Sequence, residues 1–241
     1  FYVWTKEEVD NVLGDDAAIF SAYYNITAAG NWEHGNSILL RNETDVAVAE
    51  AFKITVEELK SKIDAAKVKL MQVRNSRIKP GLDDKILSSW NALMITGYAK
   101  AYRVFGEEAF LNAAVTNANF LLKKAIAADG EMTRNYKNGR SSINALLDDY
   151  AFTIAAFIEL YQATFDEKWL TEANKITSYT LEHFFDASSG MFFYTHNQYA
   201  DLIARKMELS DNVIPSSNSE MAKNLFLLGH FLNKDEYISK A

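Results

Sequence analysis

Residues 146–173 read "LLDDYAFTIAAFIELYQATFDEKWLTEA". From Tyr150 to Phe165 the run is apolar on nearly every side of a helix, the pattern of a helix buried on nearly every side. Residues 167–184 differ. Leu170, Ala173, Ile176, Thr177, Thr180, Leu181 and Phe184 recur three and four apart and form one face only. A buried helix followed at once by a half-buried one predicts a helical hairpin with an inner and an outer limb.

The pair occurs twice more. Trp90, Leu93, Met94, Gly97, Tyr98, Ala101, Tyr102 and Phe105 form one apolar side, and Ala92, Ile95 and Ala99 stand opposite. This predicts a second helix buried nearly all round. Leu111, Ala114, Val115, Ala118, Leu121, Leu122 and Ala125 then form a single outer-limb face. A third copy runs from "SNSEMAKNLFLLGHFL" (217–232) into "DEYISKA" (235–241). The junctions align as "AYRVFGEEAFLNAA", "LYQATFDEKWLTEA" and "GHFLNKDEYISKA". Their anchoring aromatics Phe110, Trp169 and Tyr237 lie 59 and 68 residues apart. Common helical solenoids repeat every ~34–47 residues, so each unit here carries a longer hairpin and an elaborate loop. Two of those loops, "DGEMTRNYKNGRSS" (129–142) and "SGMFFYTHNQYADLIARK" (189–206), read as short β-hairpins.

The expected fold is therefore all-α: hairpins of an α/α toroid, a partial ring, with short β-hairpins between repeats. An irregular helical bundle also has buried and surface helices. The toroid is preferred because the loop repeats along with the helices. The expected segments are 1–80 (N-terminal helices and a loop), 81–147 and 148–214 (hairpin repeats) and 215–241 (a third repeat cut short).

Upstream, Thr5 and Glu8 form a capping box for a helix closing at Gly14, and a second helix ends at Asn25. "NITAAGNWEHGNSILLRN" (25–42) reads as a loop with one strand at 38–40. Thr55 and Glu58 cap a long helix whose stripe is Val56, Leu59, Ile63, Ala66, Leu70 and Val73. Arg74, Arg77 and Lys79 at its end read as cations favoured by a helix C-terminus rather than as a phosphate site.

Composition narrows the function classes. The chain has 241 residues and is 49% hydrophobic and 24% charged, with only two prolines. That suits long helices around a sizeable core. A net charge of −7 argues against a nucleic-acid partner. No apolar run approaches the ~20 residues of a membrane span, so no membrane partner is expected. With no cysteine there is no disulfide or thiolate chemistry; a cytoplasmic location is the expectation. The histidines His34, His183, His196 and His230 show no ligand spacing, and neither a metal nor another cofactor is expected. His183 and His230 read as structural. His196, in a hairpin that could overhang the ring, reads as a weak acid/base candidate.

Each inner helix is entered through a polar cluster: "LDDKILSSWN" (82–91), "ALLDDY" (145–150) and "IPSSNS" (214–219). Any one of these residues is well explained as a cap for orphan helix N–H groups. Three of them recurring is more suggestive, because a toroid gathers inner-helix N-termini at one end of the ring. Carboxylates, amides and aromatic faces suit a saccharide, and a pair of carboxylates is the machinery of glycoside hydrolysis. The candidate catalytic residues are Asp83, Asp84, Asp148 and Asp149. The candidate binding residues are Trp32, Glu33, Lys85, Trp90, Asn91, Tyr150, Ser217 and Asn218.

"DDKILSSWNALMITGYAKA", "LLDDYAFTIAAFIELYQATFDEKWL" and "IPSSNSEMAKNL" resemble the helical part of the thioredoxin-domain-containing family that includes spermatogenesis-associated protein 20. "FYVWTKEEV" and "YNITAAGNWEHGNSILL" fit the same family. The resemblance covers nearly the whole chain. It implies an (α/α)6 toroid, preceded in the family by a thioredoxin-like domain and similar to N-acylglucosamine 2-epimerases and six-hairpin glycosidases. This sequence departs at His34 and Ser217, where the family tends to have Gly. The catalytic histidines of the epimerases have no clear counterparts here, so that activity is not carried over.

Two functions stay open at this level. One is a carbohydrate-active isomerase or hydrolase, or a saccharide-binding toroid. The other is a non-catalytic interaction or scaffold domain coupled to a thioredoxin-like domain. An incomplete ring would also expose inner-helix surface and favour self-association.

Overall fold

Thr5 and Glu8 exchange hydrogen bonds with each other's backbone N–H, and this capping box starts α1 (Lys6–Leu13). Gly14 ends the helix at φ 57°, where a residue without Cβ costs least. The protein is described by a computed structural model over residues 1–198 and 204–241. It divides into two units, Phe1–Asp83 and Asp84–Ala241.

In the first unit a short 3-10 turn leads from α1 to α2 (Ala17–Tyr23), followed by α3 (Asp45–Phe52) and α4 (Val56–Ser76). The second expected capping box, Thr55 with Glu58, starts α4. Leu59, Ile63, Ala66 and Leu70 of its stripe are buried with Trp4, Val9, Phe20 and Tyr23, while Val73 stays exposed. Arg77 does something other than favour a helix end. It donates to the Phe1 and Val3 carbonyls at 2.8 Å each, pairs with Glu8 at 2.9 Å and stacks 4.0 Å from the Trp4 ring. It thus clamps the N-terminal segment, which the one-dimensional pattern places 70 residues away. Nor do residues 38–40 form a strand: Ser37 makes a single bridge with Trp4.

The second unit holds three consecutive helical hairpins. They are α5 (Ser88–Phe105) with α6 (Glu108–Lys124), α7 (Leu147–Thr164) with α8 (Lys168–Phe184), and α9 (Ser217–Leu232) with α10 (Asp235–Ile238). The inner limb α7 packs between α5 and α9 and is backed by α8. Its residues from Leu147 to Leu160 are all buried, as the all-round apolar pattern predicts. The same expectation fails for α5. Ala92, Ile95 and Ala99 are buried, but Trp90 is 67% exposed and Met94 51%. The physical reason is neighbours: among the described helices of its unit α5 packs chiefly on α6 and α7, and the flank that carries Trp90 and Met94 stays exposed.

Between the hairpins lie the expected β-hairpins. β1 (Ile86–Leu87), β2 (Asn135–Lys137) and β3 (Arg140–Ser141) form an antiparallel sheet in that order, with Ile86 opposite Tyr136 and Tyr136 opposite Ser141. Asn138 and Gly139 turn β2 into β3 with φ of 50° and 80°, the left-handed pair that matches strand twist in a two-residue turn. β4 (Phe185–Asp186) pairs with β5 (Met191–Phe192). Residues 199–203 of the second expected hairpin lie outside the described residues. Among the described residues no helix is long and apolar enough to cross a membrane.

Candidate functional site at the inner-helix entries

The sheet decides what meets at the entries of α5 and α7. Because β1 runs directly into α5, its pairing with β2 lays Arg134 against the first turn of that helix: Ser88 N–H donates to the Arg134 carbonyl at 2.8 Å. The Arg134 side chain then reaches the start of α7. One guanidinium nitrogen lies 2.9 Å from Asp148 Oδ1 and 2.8 Å from Asp149 Oδ2.

Asp149 is fully buried and fully engaged. Its Oδ1 accepts the Ser89 N–H at 3.0 Å, and its Oδ2 accepts the Leu146 N–H at 3.1 Å as well as Arg134. One carboxylate therefore caps two inner helices. Burial, reinforced by the neighbouring Asp148 charge, pushes its carboxyl up to about 6 in spite of these donors. Asp148 is the more accessible of the pair, with its side chain 13% exposed. Its other neighbour is Tyr194, whose hydroxyl is pushed up to about 12 by burial and by the Asp148 charge, to which it hydrogen-bonds. Tyr194 is fixed by backbone bonds on both sides: its carbonyl accepts the Leu147 N–H at 3.0 Å, and its N–H donates to the Lys206 carbonyl at 2.8 Å.

The entry of α9 is built differently. Glu208 Oε2 accepts both the N–H and the hydroxyl of Ser217, at 3.1 and 2.9 Å. Asp211 accepts the Ser216 N–H at 2.8 Å. The Asn218 amide accepts the Phe192 N–H and donates to the Phe192 and Glu208 carbonyls, tying β5 to the segment before α9.

Of the residues singled out from sequence, Asp148 and Asp149 come together, and Ser217 and Asn218 sit at the next entry. Asp84 does not join them. It is exposed and pairs with Lys137 at 2.6 Å, which holds its carboxyl below the ordinary range. Lys137 ends β2, three residues beyond the Arg134 carbonyl that accepts the Ser88 N–H, so ladder geometry separates Asp84 from Asp149. Lys85 and Trp90 are exposed. Asn91 faces the outer limb: its amide donates to the Leu87 carbonyl at 2.8 Å and accepts from Asn117 at 3.0 Å. Tyr150 points into the core, where its hydroxyl accepts the Met132 N–H at 3.0 Å and its ring stacks on Tyr179. Trp32, Glu33 and Asp83 are exposed residues of the N-terminal unit.

His196 does not overhang an entry as a free acid/base. It is 3% exposed and stacked 4.4 Å from His183. Its Nδ1 accepts the Gln198 N–H at 3.0 Å, and its Nε2 meets the Tyr179 hydroxyl at 3.1 Å. Burial, and then the adjacent His183, lower it to about 4, so it is neutral at pH 7.

Arg134, Tyr194 and Glu208 are absent from the sequence-derived set. Each sits in a β-hairpin or the loop after it. The available signal was the recurrence of those hairpins beside the inner helices, which places their residues at the same end as the clusters.

No family model matches the chain. Over its whole length it is 32% identical, across 265 residues, to an uncharacterized protein of Caenorhabditis elegans, covering 36% of it. It is 28% identical, across 269 residues, to human spermatogenesis-associated protein 20, covering 34% of it. The chain thus spans about a third of the length of the curated relatives it matches. Among solved structures, cellobiose 2-epimerase from Bacillus thermoamylovorans aligns with a TM-score of 0.52 and 15% identity, over 64% of this chain and 41% of that one. A family 105 glycoside hydrolase from C. acetobutylicum aligns with a TM-score of 0.53 and 11% identity, over 81% and 59%. Identities this low carry the fold and not the activity. The chain is thus similar in sequence to spermatogenesis-associated protein 20 and is built from helical hairpins of the (α/α)6 toroid type.

Proposed function

We propose that the entry of α7 binds a carbohydrate and acts on it as an isomerase or hydrolase, in a reducing compartment such as the cytoplasm. The observation that carries this reading is the Arg134–Asp148–Tyr194 group. It is a partly accessible carboxylate held between a guanidinium and a phenol, at the inner-helix end of a fold shared with a sugar epimerase and a glycoside hydrolase. Asp148 is the candidate for proton transfer or for accepting a sugar hydroxyl. Arg134 and Asp149 are positioning residues, since the oxygens of Asp149 are already engaged by backbone and arginine donors. Trp90, exposed in the first turn of α5, is the candidate stacking surface.

Saturation-transfer NMR of the full-length protein with glucose, mannose, glucosamine and cellobiose tests the reading. Binding that disappears in Asp148→Asn, with an unchanged circular dichroism spectrum, is the expected result. No saturation transfer to any of the four sugars would remove the basis for it.

A second reading, an interaction domain that self-associates or docks a partner, is favoured by one observation. Trp90, Met94, Val104 and Phe105 of α5 and Phe226 and Phe231 of α9 are all exposed, from 41% to 75%. Concentration-dependent sedimentation, together with silence in the sugar panel, would support it over the first.

A further inference from the structure

The N-terminal unit holds a cavity that shares no residue with the α7 entry. Trp4, Phe20 and Leu70 line it as buried side chains, and Met71 lines it as an exposed one. Two cations of α4, Lys67 and Arg74, also line it. The cavity volume is about 150 Å³. An apolar cavity of that size holds one benzene ring.

The two cations are not equivalent. Lys67 is paired with Asp64 at 3.0 Å. Arg77, three residues beyond Arg74, is taken up by Glu8 and by the Phe1 and Val3 carbonyls. Arg74 pairs with no carboxylate among the described residues. One of its terminal nitrogens meets the Met71 sulfur, a weak acceptor, and its guanidinium carbon lies 5.8 Å from the ring centres of both Phe1 and Tyr2. Its Nε–H is buried with no hydrogen-bond acceptor among the described residues. A buried donor of a charged group is costly to leave unmet. The acceptor that a guanidinium fork holds best is a carboxylate.

We propose that this cavity binds a small arylalkyl carboxylate. A phenyl-sized group sits against Trp4, Phe20 and Leu70, and a carboxylate joined to it by a short linker is held by the Arg74 fork. Each half of the ligand answers one observation: the apolar volume sets the size of the ring, and the unpaired guanidinium with its unmet Nε–H selects an anion over an amide or an amine.

The test is binding of phenylacetate, 3-phenylpropionate, 3-phenylpropionamide and phenethylamine to the full-length protein at pH 7. Isothermal titration gives the affinities, and NMR of the protein with labelled methionine methyl groups gives the location. Both carboxylates should bind at least about tenfold more tightly than the amide or the amine, the scale of one charge-assisted hydrogen bond. They should also shift the Met71 methyl resonance, identified by its loss in Met71→Leu. Arg74→Gln should bring the carboxylates down to the affinity of the amide and leave the amide unchanged. Arg74→Lys, which keeps the charge and loses the fork, should fall between. The ligand series and the Met71 shift on the native sequence decide the matter if the Arg74 variants fail to fold. Amide or amine binding as tightly as the carboxylates would overturn the proposal. So would carboxylate binding that leaves Met71 unmoved, and so would the absence of binding by both carboxylates.

Discussion

Asp149 accepts the backbone N–H of Ser89 at 3.0 Å across a sequence separation of 60 residues. The first turn of α5 is therefore capped from the first turn of the neighbouring inner helix. Removing the carboxylate uncaps both helices and leaves Arg134 with Asp148 alone. Asp149→Ala should destabilise the protein by roughly 3–5 kcal/mol, the usual cost of breaking a buried pair from one side. Chemical denaturation followed by circular dichroism measures it; a loss under about 1 kcal/mol would contradict the strut role.

The neighbouring carboxylate should behave in the opposite way. Asp148 caps neither helix in the described hydrogen bonds and keeps some contact with solvent. Asp148→Asn should cost about 1 kcal/mol or less in stability and abolish sugar binding. Thermal melts and saturation-transfer NMR on the same sample separate the two effects.

Two buried groups give opposing pH dependence. The Asp149 carboxyl is raised to about 6 from 3.8, first by burial and then by Asp148. The folded state thus binds its proton more readily than the unfolded chain, and its contribution grows as pH falls from about 6 towards 4. His196 is lowered to about 4 from 6.5, first by burial and then by His183. Its contribution is lost as pH falls from about 6.5 to 4. The two arms run in opposite directions, so the native sequence should depend less on pH over pH 4–6 than a variant that keeps only one of them. His196→Gln should become more stable on acidification and Asp149→Asn less stable. Urea midpoints at pH 4, 5, 6 and 7 read this directly, and parallel profiles for the two variants would refute the assignment.

Gly130 tests the packing of the loop after α6. Its φ is 102°, and an added Cβ would lie 3.0 Å from the Lys175 carbonyl oxygen and 3.2 Å from Tyr179 Cβ on α8. Backbone strain and overlap act together here. Gly130→Ala should cost about 1–3 kcal/mol, seen as a Tm lowered by several degrees. An unchanged Tm would mean that the loop can withdraw from α8.

In the N-terminal unit, Arg77 bonds two carbonyls and Glu8 while covering Trp4. Arg77→Lys keeps the charge and loses the fork. Both Arg77→Lys and Arg77→Ala should speed protease cleavage before α1, with Ala costing about 2 kcal/mol. Cleavage at the native rate in Arg77→Lys would show that charge alone suffices.

The helices were legible because each writes its own period and its own caps. Thr5 with Glu8, Thr55 with Glu58, and the apolar run through Leu160 need only near neighbours in the chain to be read. The three polar entries were legible for the same reason, and the Asn138-Gly139 turn announced its hairpin. The assignment of groups within the entries was not legible. The doublet Asp83-Asp84 looks like the doublet Asp148-Asp149 on paper, yet Asp84 sits exposed on Lys137 while Asp149 is buried beneath Arg134. Trp90 and Met94 look like core residues and lie exposed.

Local periodicity and capping chemistry, both short-range in the chain, were enough to specify the hairpins and the polar start of each inner helix. Which carboxylate became a strut, and which stayed accessible beside Tyr194, was settled only when β1 and β2 paired and carried Arg134 to the start of α7. Burial and charge pairing depend on neighbours supplied by distant segments, and no local pattern records who those neighbours are.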